Sequence, residues 1–152
     1  MGTQAVAGTK LRFSTAVPAT EDAAGYAALT WVGEQSCTVT NIGDFGGKEF
    51  NRIDTDTVCD RRTKPKKGTS KWSDFTCEFL QDYDSPAQEL LDVALDSDDS
   101  ISIEIEQPDG TKTYFYGLVM DFKSTAGGPN DMYKRTLTIA PDHNEYIRVD
   151  PV

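Results

Sequence analysis

The stretch WSDFTCEFLQDYDSPAQELLDVALDSDDSISIEIEQPDGTKTYFYGLVMDFKSTAGGPNDMYKRTLTIA, residues 72–140, reads as strand, helix, strand, turn, strand, loop and strand. Its opening alternates Phe75, Cys77 and Phe79 with Asp74, Thr76 and Glu78, the period of a strand with one buried face. Next, SPAQELLDVAL carries the punctuation of a helix at about 85–96, with Ser85 as cap, Pro86 at the first helical position and Gln88 completing a capping box. Ala87, Leu90, Leu91, Ala94 and Leu95 form one apolar stripe, which must lie against a sheet. Beyond it Ile101, Ile103 and Ile105 alternate with Ser102, Glu104 and Glu106. Pro108, Asp109 and Gly110 then make a hairpin turn, Asp-Gly being a pair in which both residues tolerate positive φ. The return strand is long enough to run past its partner or to bend at Gly117, where a missing side chain lets a sheet curl or be closely approached. A loop from Gly127 to Asn130 leads into a last strand, YKRTLTIA.

At 152 residues the chain is most simply one domain, 1–152, with a real core. With 25 acidic against 15 basic residues it repels polyanions on average, but the charge is unevenly placed. Residues 72–111 hold twelve acids and no Lys or Arg, whereas 61–71 hold six bases, Arg61, Arg62, Lys64, Lys66, Lys67 and Lys71, and no acid. One segment can therefore attract the other on a neighbouring copy. Cys37, Cys59 and Cys77 are an odd number without CxxC spacing, which argues against a disulfide framework or zinc site and for synthesis in a reducing cytoplasm. The N-terminus lacks the charged start and apolar run of a leader, and no stretch approaches the roughly 18 apolar residues of a membrane span, so a soluble protein without a membrane partner is expected.

Along the rest of the chain, residues 1–9 are small and polar and read as a mobile arm, and 10–14 as a short strand. Residues 15–28 read as irregular with at most a helical turn around Ala23, Trp31 and Val32 as a second apolar patch, and 36–42 as a strand. Residues 43–71 form a long loop region with a strand near 50–53, its basic tract a projecting loop or the tip of an extended hairpin. In the tail, 141–152, Tyr146, Ile147 and Val149 need a surface to cover, which another subunit could supply.

No catalytic constellation is found. His143, the one histidine, reads as solvent-exposed, and GxSxG, HExxH and phosphate-loop patterns are missing. The run from Asp96 to Ser100 lacks the glycine and distant glutamate of a calcium loop and reads as a solvated connection. For the basic tract, nucleic-acid binding is opposed by the net charge of −10, leaving a solvated loop or docking onto an identical neighbour. Asp74, Glu78, Glu104 and Glu106 are either water-facing carboxylates or the acidic lining of a passage through which a polyanion must move without sticking. No enzyme, cofactor or metal is expected.

With these residues in place, 72–140 resembles the tail tube (major tail) proteins of long-tailed bacteriophages, especially those with non-contractile tails. The resemblance rests on the order of elements and on Pro108, Asp109, Gly110, Gly117, Arg135, Thr136 and Thr138. It implies a mainly β fold of two packed antiparallel sheets, sandwich or barrel, with one short helix. It further implies a structural subunit, six to a ring, with rings stacked into a hollow tube through which DNA passes unbound during ejection. Partners would be tape measure, tail tip and tail terminator proteins, the location the virion tail, and the contacts between rings the long loop and the N-terminal arm. Some relatives add an immunoglobulin-like domain at the C-terminus, which is not expected here. The competing readings are a tube protein like that of type VI secretion and a monomeric β-sandwich binding module whose Tyr114, Tyr116 and Trp72 face a ligand.

Overall fold

The computed structural model describes residues 3–33, 39–55, 57–59, 61–62, 64–143 and 145–151. In chain order these form β1 (Lys10–Ser14), α1 (Ala23–Ala27), β2 (Val32–Gly33), β3 (Val39–Ile42), β4 (Lys48–Thr55), β5 (Lys64–Trp72), β6 (Phe75–Leu80), α2 (Pro86–Leu95), β7 (Ile101–Glu106), β8 (Lys112–Thr125), β9 (Lys134–Pro141) and β10 (Ile147–Val149). Of the strand expected over 36–42, Ser36, Cys37 and Thr38 lie outside the described residues, as do Met1 and Gly2 of the N-terminal arm. The architecture is mainly β, in two antiparallel sheets. One has eight strands in the order β2-β1-β7-β8-β9-β6-β3, with β10 added to β8; the other is the β4-β5 pair.

The larger sheet is folded over at β8. The first half of β8 pairs with β7 as far as Gly117, and from Gly117 onward its other edge pairs with β9. The two half-sheets therefore share only this strand, and they face one another. Phe13 of β1 meets Phe79 of β6 edge-on at 6.3 Å, although three strands separate β1 from β6 in the sheet order. Phe75 and Phe115 make a second edge-to-face contact across the interior at 5.3 Å. Among the described residues the ends of the sheet, β2 and β3, do not pair, so this is a sandwich of one curled sheet and not a closed barrel. Leu11, Phe13, Ile103, Leu137 and Ile139 fill the space between with no solvent exposure.

Helix α2 lies on β8 and brings Ala87, Leu91 and Ala94 into this core. Two of its expected features are corrected. Ser85 makes no side-chain cap bond, and Gln88, almost wholly buried, points away from the helix start. Its Nε2 donates to Leu80 O at 2.9 Å and its Oε1 accepts from Asp82 N at 3.1 Å, satisfying the loop that leaves β6. Leu90 is only half-buried and Leu95, at the C-terminal end of the stripe, is 36% exposed. A second, five-residue helix, α1, stands where residues 15–28 were read as irregular; Asp22 caps it by accepting from Gly25 N.

The expected hairpin is present, with positive φ confined to Gly110 (φ 97). Gly110 N donates to Gln107 O at 2.9 Å and Gln107 N to Thr111 O at 2.8 Å, the pattern of a turn closed by a glycine bulge. The tail needs no second subunit as its cover: β10 pairs with β8, and Tyr146 packs on Phe115 at 4.9 Å. At the other terminus the Gln4 side chain bonds the Gln107 side chain and accepts from Asp109 N, so the described part of the arm is tied to the β7-β8 turn.

The bend makes a prediction. A Cβ at Gly117 would stand 2.4 Å from Ala140 O and 2.9 Å from Pro141 Cα, both backbone atoms that cannot rotate away. Gly117→Ala is expected to lower unfolding free energy by about 2 kcal/mol or more, the scale of an overpacked core site, measured by urea denaturation.

Candidate assembly interface

The feature that stands apart from the fold is the β4-β5 hairpin. Among the described residues its strands pair only with one another, and almost every residue in them is exposed. The basic tract is thus neither a loop nor only the tip of a hairpin. Arg61 and Arg62 are at the tip, while Lys64, Lys66, Lys67 and Lys71 are spread along β5. Extended strands of this length reach roughly 25–30 Å. Apolar side chains go with the charge: Phe50 and Ile53 are 44% and 50% exposed. Register places Lys67 opposite Arg52 and Lys66 opposite Ile53. One face therefore carries Lys48, Phe50, Arg52 and Lys67, with the Lys67 ammonium 4.7 Å from the centre of the Phe50 ring. The other face carries Ile53, Lys64, Lys66 and Lys71.

Charge is segregated between this arm and the body. Residues 48–72 contain eight basic and four acidic residues, a net of +4; the remainder has seven basic and twenty-one acidic, a net of −14. Arm and body thus carry opposite net charge.

The four carboxylates singled out in the sequence do not share a surface. Asp74 lines an open cleft with Gln4, Asp44, Phe45, Ser73 and Pro108. Glu78 lies on the outer side of β6 beside Thr40 and Lys134, its Oε1 2.9 Å from the Thr40 hydroxyl and 3.5 Å from the Lys134 ammonium. Glu104 is corrected outright: it is 3% exposed, because residues 15–33 fold back over the outer face of β7. There its carboxylate pairs with Arg12 Nη1, which also meets Glu106 Oε2 at 2.8 Å. The Arg12 guanidinium holds the Glu106 carboxyl below its ordinary range.

Three further groups escaped the sequence reading. Arg135 is 6% exposed and grips Asp92 of α2 through Nη1 and Nη2 while lying 3.7 Å from the centre of the Phe122 ring. Tyr114, expected as a ligand-facing aromatic in one alternative, is buried and stacked on Tyr26 at 5.1 Å with Trp31 at 5.7 Å. Trp72 stacks on His143. His143 itself is 4% exposed, not solvent-facing, because the tail folds it under Tyr146. The signal for Arg12 was present, since it alternates with Leu11 and Phe13 and so had to face the acids of a neighbouring strand. Nothing in the sequence near His143 announced its burial. Among the described residues no group of three or more His, Cys, Asp or Glu side chains is gathered to hold a metal, and no helix is long and apolar enough to cross a membrane.

No family model matches the chain, and no curated protein does. Among solved structures, a chain in the cryo-EM structure of the anti-feeding prophage (AFP) baseplate, 6-fold symmetrised, is similar over 99% of this chain and 98% of its own, with a TM-score of 0.63 at 12% identity. This chain shares the fold of that chain. A type six secretion system protein is similar over 88% of this chain and 78% of its own, with a TM-score of 0.46 at 15% identity. The baseplate likeness covers the whole chain, arm and tail included, and it is a likeness to a prophage baseplate, not to a non-contractile tail tube in particular.

The Arg12 pairs predict an acid-sensitive step. Because the folded pKa of Glu106 lies below its usual 4.5, the stabilisation is full above that value and lost as pH falls below it. Arg12→Met should cost about 2–4 kcal/mol at pH 7, less than for a fully buried pair because the Arg12 side chain is 28% exposed. It should also flatten the fall in urea midpoint between neutral pH and pH 3.

Proposed function

We propose that this chain is a structural subunit of a phage-type tube, assembling six to a ring with rings stacked by the β4-β5 arm. The observation that carries this reading is the arm. A two-stranded hairpin with nearly all its side chains in water is marginal alone, and its net +4 faces a body of −14. Supplying that body from an adjacent copy satisfies both needs. The unjoined sheet ends, β2 and β3, offer the lateral contacts by which a ring could close. In this reading Arg61, Arg62, Lys64, Lys66, Lys67 and Lys71 are docking residues, and the lumen passes DNA without specific sites. Burial removes Glu104 from its lining, and Asp74, Glu78 and Glu106, which lie on separate surfaces, do not form one acidic wall. Tape measure, tip and terminator proteins would be the partners, in the virion tail, and the work is done by geometry and charge without catalysis.

The likeness to a baseplate chain favours a second reading, in which the subunit forms a ring at the baseplate end of such a tube and does not polymerise indefinitely.

Negative-stain microscopy of the purified chain separates these. Stacked rings are expected from the first reading and single six-fold rings from the second; particles that stay monomeric at high concentration would sink both. Reversing Lys64, Lys66 and Lys67 to Glu should abolish stacking at low salt while circular dichroism stays unchanged, and undiminished stacking would remove the docking role of the arm.

A further inference from the structure

His143 sits at the root of the arm. Trp72, the last residue of β5, stacks on its ring at 5.0 Å and 30°, and Tyr146, just before β10, meets it edge-on at 4.2 Å. Phe115 closes the site from β8 at 5.9 Å, and Trp72 also touches Tyr146 directly at 4.9 Å. The imidazole Nδ1 lies 3.3 Å from Tyr116 O. A carbonyl can only accept, so the proton is on Nδ1 and Nε2 is the bare nitrogen. Nε2 is buried and has no hydrogen-bond partner among the described residues. The ring is therefore held by one bond and by aromatic faces, in a pocket built for the neutral form.

This pocket sets the root of the arm against β8 and the tail, which are themselves paired through β10. Among the described residues the strands of the arm pair only with one another, and beyond Trp72 its root is closed by two backbone bonds, Ser73 N to Gly47 O at 2.9 Å and Gly43 N to Thr76 O at 2.7 Å. The tail, through Tyr146, and β8, through Phe115 and Tyr116, supply the other walls. We propose that His143 is an acid-labile latch: neutral, it clamps Trp72 and Tyr146 together and fixes the arm on the body; protonated at Nε2, it leaves the pocket and frees the root of the arm.

Several groups bear on the charge. The Tyr116 carbonyl, Glu21 and Asp142 favour the cation, as does the face of Trp72 stacked on the ring. Tyr116 and Tyr146 are held neutral, their hydroxyl pKa values raised by burial, and the Lys48 ammonium, 5.3 Å from the Trp72 ring, opposes a second cation nearby. Burial outweighs the attractions and pushes the imidazole pKa below its ordinary 6.5. The sign follows: the neutral latch stabilises the closed root fully above that value, and the stabilisation is lost as pH falls through the lowered pKa.

Deuterium exchange at the imidazole Cε1–H, read by mass spectrometry, titrates this one histidine in the intact chain whatever its state of assembly. The expected midpoint lies below 6.5. Amide exchange at residues 46–50 and 70–74, corrected for its intrinsic pH dependence, should rise at least tenfold through the same midpoint, while β7 and β9 stay protected. His143→Phe should lose the step. A midpoint at or above 6.5, a root whose exchange shows no step, or a step that survives in His143→Phe overturns the latch. The first two tests use the unaltered chain and decide the matter even where the variant folds poorly. A strictly monomeric chain that shows the step would sink the tube reading and leave the latch standing.

Discussion

At Gly117 the backbone of β8 passes so close to β9 that no side chain fits between them, and that single approach sets the shape of the molecule. Residues before it pair with β7 and residues after it with β9. A flat strand of fourteen residues would give a wide open sheet with one face of phenylalanines in water. Curling the sheet instead sets Phe13 against Phe79 and Phe75 against Phe115, and the apolar face becomes an interior. A register shift between Val119 and Asp121 adds to the bend just beyond the glycine. The helix then has one place to go, against β8, where Leu91 is wholly buried.

Polar side chains act as ties between layers, Arg135 from the interior face of β9 and Arg12 from the outer face of β1. Arg135 reaches from β9 to Asp92 on α2, and Arg12 reaches from β1 across to Glu104 and Glu106 on β7. Each pair links elements distant in sequence, by 43 residues in the first case and 92 in the second between Arg12 and Glu104. Buried pairs of this kind add little net stability, since desolvation offsets attraction. They do penalise misregistered packing, because a one-residue slip of β1 or β7 would leave a charge in the interior without its partner.

The periodic elements were legible in the sequence for this reason. Strands β6, β7 and β9 and helix α2 alternate or repeat in step with the faces they bury, and Gly117 and Gly110 marked the bend and the turn. What escaped was decided by long-range cover. Glu104 and Ser102 look like a solvent face on β7 until residues 15–33 fold over them, and no local pattern encodes that return. His143 and Tyr146 look like a frayed tail until Trp72 gives them something to stack on. Gln88 has the spacing of a capping box, yet the β6-α2 loop offered its amide two unmet backbone groups and won. The basic tract was recognised as a projection, but the pairing of β4 with β5 over its length depends on a strand, 48–55, whose mixed composition has no clean alternation.

The arm and the body are opposites in how they are stabilised. In the body, apolar faces meet within the chain and charge is neutralised by ties such as Arg12 and Arg135. In the arm, Phe50 is shielded only by its neighbouring lysines, and Ile53 stays half in water. Natural sheets protect exposed edges with lysine, which discourages unplanned strand pairing. The same lysines here supply five of the eight positive charges of the arm that could recognise the acidic body, so one set of residues both prevents indiscriminate edge pairing and selects a charged partner. A neutral arm of the same shape would lose both properties together, since its edges would be open to any strand and its faces would have no electrostatic reason to find this protein's own surface.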